Sequence, residues 1–209
     1  MSRDRLALEG PEGTLEAVLE GETESPAMIA IVCHPHPQFG GTMDNKVVTT
    51  LIRAARDAGA AALRFNFRGV GESQGAYSDG IGEVEDLIAV HRWLSKKYPG
   101  TPLWLAGFSF GSFVAARGAE VLAANGEAPA ALFLVAPPVH HYGFETIENV
   151  GCPVTVVQGE DDEVVPADKV FRWAESTALA PDLIRFPDSG HFFHGQLVNL
   201  REVASSRLP

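Results

Sequence analysis

The sequence has few cysteines and no long hydrophobic run. Its two cysteines, Cys33 and Cys152, lack the C-x-x-C spacing of zinc and redox sites, so we expect both thiols to be reduced and structural. Even the longest apolar runs, such as residues 27–33, are far shorter than the roughly 20 residues that a membrane span requires. The amino terminus is charged and leads into no apolar stretch of the kind found in signal peptides. These absences predict a cytoplasmic protein with no membrane partner.

Positive charge is also scarce. Sixteen basic residues stand against 27 acidic ones, which gives a formal net charge of −11. Because this charge repels phosphate backbones, we expect no nucleic-acid partner. The 209 residues contain no repeat and no linker-like tract, so residues 1–209 are predicted to form a single domain. Whether that domain forms a homodimer is left open.

Short apolar segments alternate with longer segments of helical period, which is typical of an α/β fold with a mostly parallel sheet covered by helices on both faces. Strands are predicted at residues 28–33, 61–65, 103–107, 131–135, 154–158 and 183–186, each apolar enough to be buried on both faces. Residues 6–8 and 15–19 flank a Gly-Pro-Glu-Gly turn, which predicts an antiparallel hairpin at one edge. Covering helices are predicted over residues 44–58, 81–94, 112–124 and 191–205.

A serine flanked by glycines follows the third of these strands. The segment Gly107-Phe108-Ser109-Phe110-Gly111 joins a strand to a helix, and a G-x-S-x-G motif has meaning in this context. Such a turn projects the serine hydroxyl outward, and its glycines let the strand and helix backbones approach closely. It also directs the first N–H groups of the helix at the reacting centre. Ser109 is therefore predicted to be a nucleophile at a nucleophile elbow, with the Phe110 N–H as an oxyanion donor.

A nucleophilic serine needs a histidine base, and a carboxylate is needed to fix the tautomer of that base. A run of four carboxylates follows the strand at 154–158, at the carboxyl end of a strand, where open α/β sheets place their sites. Asp162 is preferred as the acid by motif alignment, and Asp161 is its nearest rival. His191, directly after Ser189-Gly190, is the predicted base, whereas His194 is more typical of a surface or capping histidine.

The loop His34-Pro35-His36-Pro37 follows the first central strand. Two histidines at this spacing suggest a zinc site, but no further ligand motif completes it, so we expect no metal and no cofactor. For His34 the simplest role is to stiffen the loop. The glycine-rich residues 66–75 do not form a dinucleotide loop, because their third glycine comes one residue too late for G-x-G-x-x-G.

These motifs resemble the α/β-hydrolase superfamily over essentially the whole chain. The resemblance is carried by residues 107–111, 159–166 and 189–193. Residues 34–37 and 66–73 look like those of small bacterial hydrolases near the dienelactone hydrolases, treated as carboxylesterases, although dienelactone hydrolases proper use cysteine as nucleophile. The resemblance implies an α/β-hydrolase fold, a serine hydrolase of carboxylesterase type, and a catalytic triad of Ser109, Asp162 and His191.

In this family the loop after the first central strand supplies the second oxyanion N–H. Pro35 and Pro37 have no N–H, so the donor is His36, Gln38 or a later residue, and His36 is preferred. The candidate substrate contacts are Phe39, Phe108, His140 and Tyr142.

The segment after the strand at 131–135 is short. Larger lipases and epoxide hydrolases insert a helical cap here, but only residues 136–150 precede the next strand signal. We therefore expect a minimal or absent cap and an open site for a small-molecule ester. Peptidases, thioesterases and acyltransferases use the same triad, and a member of the fold that only binds a ligand or a protein is the rival from another class.

Overall fold

The structure, a computed structural model, describes residues 3–21 and 23–209. Its strands are β1 (Arg3–Gly10), β2 (Gly13–Glu20), β3 (Met28–Cys33), β4 (Ala60–Phe65), β5 (Leu103–Phe108), β6 (Ala131–Val135), β7 (Val154–Gly159) and β8 (Asp182–Phe186). Its helices are α1 (Lys46–Asp57), α2 (Ile81–Lys97), α3 (Phe110–Ala124), α4 (Ala167–Ser176) and α5 (Leu197–Ser205). The strands form one sheet in the order β1-β2-β4-β3-β5-β6-β7-β8.

The sheet is antiparallel at one edge and parallel elsewhere. β1 and β2 pair as a hairpin, with Gly10 opposite Gly13 at the turn, and β2 runs antiparallel to β4. All pairings from β4 through β3 to β8 are parallel. The predicted fold class and the antiparallel hairpin are thus confirmed.

Helices cover both faces of this sheet because alternate residues of each central strand point to opposite sides. In β3, Ile29 and Ile31 pack into a cluster with α2 and α3, whereas Ala30 and Val32 pack into a second cluster with α1 and α5. Every residue of β3 is buried, which explains why the strand is an unbroken apolar run.

Apart from shifts of a few residues at element ends, two predicted elements differ from the structure. β8 is not buried on both faces, since it is the edge strand and most of its residues are partly or fully exposed. The last helix begins at Leu197 and not at His191. Phe193 and Gly195 have φ angles of 53° and 76°, and this left-handed backbone cannot continue a right-handed helix.

The connection between β6 and β7 contains no cap domain. Residues 136–153 form a loop whose only helical element is a short 3₁₀ turn at Phe144–Thr146, so the expectation of a minimal or absent cap is confirmed. Separately, none of the helices in the described part of the chain is both long enough and apolar enough to cross a bilayer.

Candidate active site

Ser109 occupies the sharp turn between β5 and α3. Its backbone is in an unusual conformation for a side-chain-bearing residue, with φ 53° and ψ −123°. Two hydrogen bonds hold this strained turn: the Ser109 N–H donates to the Val135 carbonyl at 2.8 Å, and the Ser112 hydroxyl donates to the Ser109 carbonyl at 2.6 Å.

The flanking glycines are required by close backbone contacts. A Cβ on Gly107 would overlap the carbonyl oxygen of Gly111, and a Cβ on Gly111 would overlap the carbonyl oxygens of Cys33 and His34. The N-terminus of α3 is thereby pressed against the end of β3 and the loop that follows it.

The structure brings the three predicted catalytic side chains together. His191 Nε2 lies 3.1 Å from Ser109 Oγ, and His191 Nδ1 lies 2.9 Å from Asp162 Oδ2. All three residues are largely buried. The rival candidates Asp161 and His194 are exposed and take no part in this hydrogen-bond chain.

Four donors surround the Asp162 carboxylate. Oδ1 accepts the N–H groups of Val164 at 2.9 Å and Val165 at 2.7 Å, while Oδ2 accepts from Gln158 Nε2 at 3.0 Å and from His191. Burial acts to raise the pKa of Asp162, but the hydrogen bonds and charge of His191 and the two N–H groups outweigh it, so the pKa is lowered. The carboxylate is therefore ionised at neutral pH and fixed in orientation.

Sequence reasoning missed two residues that hold this arrangement. Gln158, near the end of β7, donates from Nε2 to Asp162 and to the Gly159 carbonyl, and the Val165 carbonyl lies 3.4 Å from the same nitrogen. Glu163 accepts the backbone N–H of His191 at 3.1 Å. Glu163 belongs to the run of four carboxylates at residues 160–163. Its role differs from that of its neighbours only because the loop that carries it lies against the loop that carries His191, and the sequence does not predict this contact.

Two of the predicted oxyanion donors, the backbone N–H groups of Phe110 and His36, belong to residues that line the cleft together with Ser109. Within residues 3–21 and 23–209, neither the Phe110 N–H nor the His36 N–H donates to another group. The Gln38 N–H instead donates to His36 Nδ1 at 3.1 Å. Gln38 is thus already used, and the geometry favours His36 as the second oxyanion donor.

The loop histidines are engaged within the protein. His34 is fully buried, with Nδ1 donating to the Pro35 carbonyl at 2.6 Å and Nε2 accepting the Phe67 N–H at 3.0 Å. Burial lowers the pKa of His34 to about 4, so its ring is neutral and ties this loop to the loop after β4. No group of three or more potential metal ligands occurs among the residues that the structure describes.

The cleft beside Ser109 has two lobes that share His36, Phe39, Ser109 and Val164. The tyrosine lobe, of about 470 Å³, is the part lined by Tyr77, Asp79, Phe110, Pro138, His140, His141, Tyr142 and Val165. The histidine lobe, of about 370 Å³, is the part lined by Pro35, Gly40, Gly41, Asn45, His191 and Phe192.

Three of the four predicted substrate contacts line this cleft, namely Phe39, His140 and Tyr142. Phe108 does not, and its prediction is wrong. As the last residue of β5 it points into the buried cluster beneath α1 and α5, where its ring packs against that of His191 with 5.0 Å between centroids. Tyr77 and Asp79 line the cleft but were not predicted, since they lie in a loop with no motif.

Comparison with known proteins gives consistent matches. Residues 35–151 match the family described as alpha/beta hydrolase fold. An α/β serine hydrolase homologue from Coxiella burnetii has a structure 41% identical in sequence, with a TM-score of 0.91 over 100% of this chain and 99% of that one.

Two further relatives match over most of their length. A structure from Xanthomonas campestris, described as an a/b serine hydrolase without lid, is 39% identical with a TM-score of 0.90, over 99% of this chain and 93% of that one. An uncharacterised protein of Rickettsia prowazekii is 38% identical over 170 residues, which are 79% of this chain and 70% of that protein.

Proposed function

The chain belongs to the α/β-hydrolase family and is related to serine hydrolases, and we propose that it cleaves small carboxylic esters through an acyl-enzyme on Ser109. One observation carries the proposal. Ser109 Oγ, His191 and Asp162 form a continuous hydrogen-bond chain at the N-terminus of α3.

In the proposed reaction, His191 Nε2 takes the proton of Ser109 Oγ as that oxygen attacks the ester carbonyl carbon. Asp162 accepts the Nδ1–H, which fixes the tautomer and stabilises the imidazolium that forms. The N–H groups of Phe110 and His36 hold the oxyanion. His191 then protonates the departing alcohol, and the C–O bond to it breaks.

A water molecule completes the cycle. His191 removes a proton from the water as its oxygen attacks the acyl carbon, and the proton passes to Ser109 Oγ as the acid is released.

The open cleft supports small or exposed esters as substrates. No cap covers Ser109 within the described residues, and Phe39 and Val164, which line both lobes, are exposed. A substrate can therefore reach the hydroxyl without displacement of a lid.

A panel of esters, thioesters and anilides with the same butyryl group tests the proposal. We expect the highest kcat/KM for the ester, and loss of its hydrolysis in Ser109→Ala. A preference for the thioester or the anilide would make the chain a thioesterase or a peptidase. Acyl transfer to an added alcohol in place of water would make it an acyltransferase. No turnover by a folded wild type would favour a binding protein.

A further inference from the structure

The two lobes of the cleft receive different halves of an ester, if the proposed function holds. In the proposed reaction His191 protonates the alcohol oxygen, so the alcohol leaves on the side of the serine that His191 occupies. Only the histidine lobe is lined by His191, and the tyrosine lobe lies on the other side of Ser109, beside Phe110. The acyl group therefore extends into the tyrosine lobe.

The protonation of His36 at the edge of this lobe is fixed by its neighbours. Its Nδ1 accepts the Gln38 N–H, which can only donate, so Nδ1 carries no proton. Burial lowers the pKa of His36, which keeps the ring neutral and puts its one proton on Nε2. Nε2 lies 3.1 Å from the Tyr77 hydroxyl oxygen and donates to it.

Tyr142 lies in the same lobe as Tyr77. The Tyr77 oxygen accepts from His36, and both tyrosines line the lobe. The Tyr142 ring is fixed by stacking on Phe113, at 4.9 Å between centroids, and by an edge contact with Phe110 at 5.4 Å. The Tyr142 ring is thus held at the wall of the lobe, where its hydroxyl can donate to a ligand.

The charge of the lobe restricts that ligand. Asp79 lines the same lobe with an exposed carboxylate, in a chain of net charge −11. A carboxylate or phosphate at the end of the acyl group would be repelled. A neutral hydroxyl can accept from Tyr142 and donate to Asp79.

We propose that the Tyr142 hydroxyl and the Asp79 carboxylate select esters whose acyl group carries a neutral hydroxyl at its far end. Tyr142 would then be the residue that determines acyl specificity, with its ring oriented by Phe113 and Phe110. This goes beyond ester hydrolysis as such, because it names the acyl group that the cleft prefers.

The test compares two esters of one alcohol that differ only at the end of the acyl group. Methyl 3-(4-hydroxyphenyl)propanoate and methyl 3-(4-methylphenyl)propanoate have the same number of heavy atoms. We expect kcat/KM to be about 3- to 10-fold higher for the hydroxylated ester, as one net hydrogen bond provides. We expect this ratio to fall to about one in Tyr142→Phe and to decrease in Asp79→Asn.

Tyr98→Phe is the matched control, since Tyr98 is a tyrosine at the end of α2 that lines neither lobe. It should leave the ratio unchanged. A wild-type ratio near one, or a ratio that Tyr142→Phe leaves unchanged, would overturn the proposal. If a fluorophosphonate labels Ser109 in these variants, such a result would count against the selectivity alone and not against the ester hydrolase itself.

Discussion

Replacing Asp162 by asparagine should trap His191 in the wrong tautomer. Oδ1 of Asp162 accepts two backbone N–H groups, from Val164 and Val165, so the amide oxygen of the asparagine must stay at that position. Its NH₂ group then stands where Oδ2 was, 2.9 Å from His191 Nδ1. The NH₂ group would donate to Nδ1, so the imidazole proton would move to Nε2. A protonated Nε2 faces the serine and cannot accept the proton of its hydroxyl.

The size of the effect follows from the bonds that change. A hydrogen bond to a charged buried carboxylate contributes about 1.5–3 kcal/mol, and this stabilisation of the transition state is lost. The wrong tautomer of His191 raises the barrier further. We expect kcat to fall by about 10³- to 10⁴-fold, equivalent to about 4–5.5 kcal/mol, with little change in KM. The fold should survive, because the amide oxygen of the asparagine keeps the two hydrogen bonds from the backbone N–H groups of Val164 and Val165.

The assay is hydrolysis of 4-nitrophenyl butyrate, with urea unfolding as a check on the fold. Asp161→Asn is the matched control. It changes the neighbouring exposed carboxylate and keeps the backbone hydrogen bond of that residue to Ser189, so we expect activity within about twofold of wild type. More than a tenth of wild-type kcat in Asp162→Asn, or a large loss in Asp161→Asn, would refute the assignment of the acid.

Three other predictions concern the elbow, the buried histidine and the open cleft. Gly111→Ala puts a Cβ against the Cys33 and His34 carbonyls, so the free energy of unfolding, measured in urea, should fall by about 1–3 kcal/mol or more. Gly143→Ala is the control and should change this free energy little, because the added Cβ makes only ordinary van der Waals contacts. The His34 pKa is lowered from 6.5 to about 4, so on acidification the unfolded chain binds a proton first. Stability should be full above pH 6.5 and decline towards pH 4, by up to about 3 kcal/mol from this residue, and less steeply in His34→Gln. With no lid, hydrolysis of a long-chain ester should show no increase in rate when the ester passes from monomers into an emulsion, and a preference for emulsified lipids over short acyl esters would contradict the open cleft.

Local patterns in the sequence predicted the parts of the fold that depend on neighbouring residues. The residue types within the apolar run at β3 and within the turn between Gly10 and Gly13 are enough to predict the structure of these two segments. The exposure of β8 could not be predicted in the same way, because it depends on which strand has no neighbour on one side. The segment from His191 to Gln196 shows the same limit, since two left-handed residues interrupt a pattern that suits a helix.

In the candidate site too, the sequence predicts the location of some residues correctly and that of others not. Ser109, Asp162 and His191 were predicted because each follows a strand, in a motif that a serine hydrolase requires. Phe108 adjoins the serine in sequence, but alternation along β5 turns its side chain into the buried cluster beneath α1 and α5. Tyr77 meets His36 across 41 positions of sequence, and no local signal predicts that contact.

Labelling with a fluorophosphonate, followed by mass mapping of the adduct, tests the central claim most directly. An activated serine attacks the phosphorus atom and keeps the phosphonyl group, whereas an ordinary serine hydroxyl does not react at neutral pH. We expect one adduct per chain, on the peptide that contains Ser109, with none in Ser109→Ala and much slower labelling in His191→Ala. A folded wild type that stays unlabelled, or an adduct on any other residue, would contradict the account.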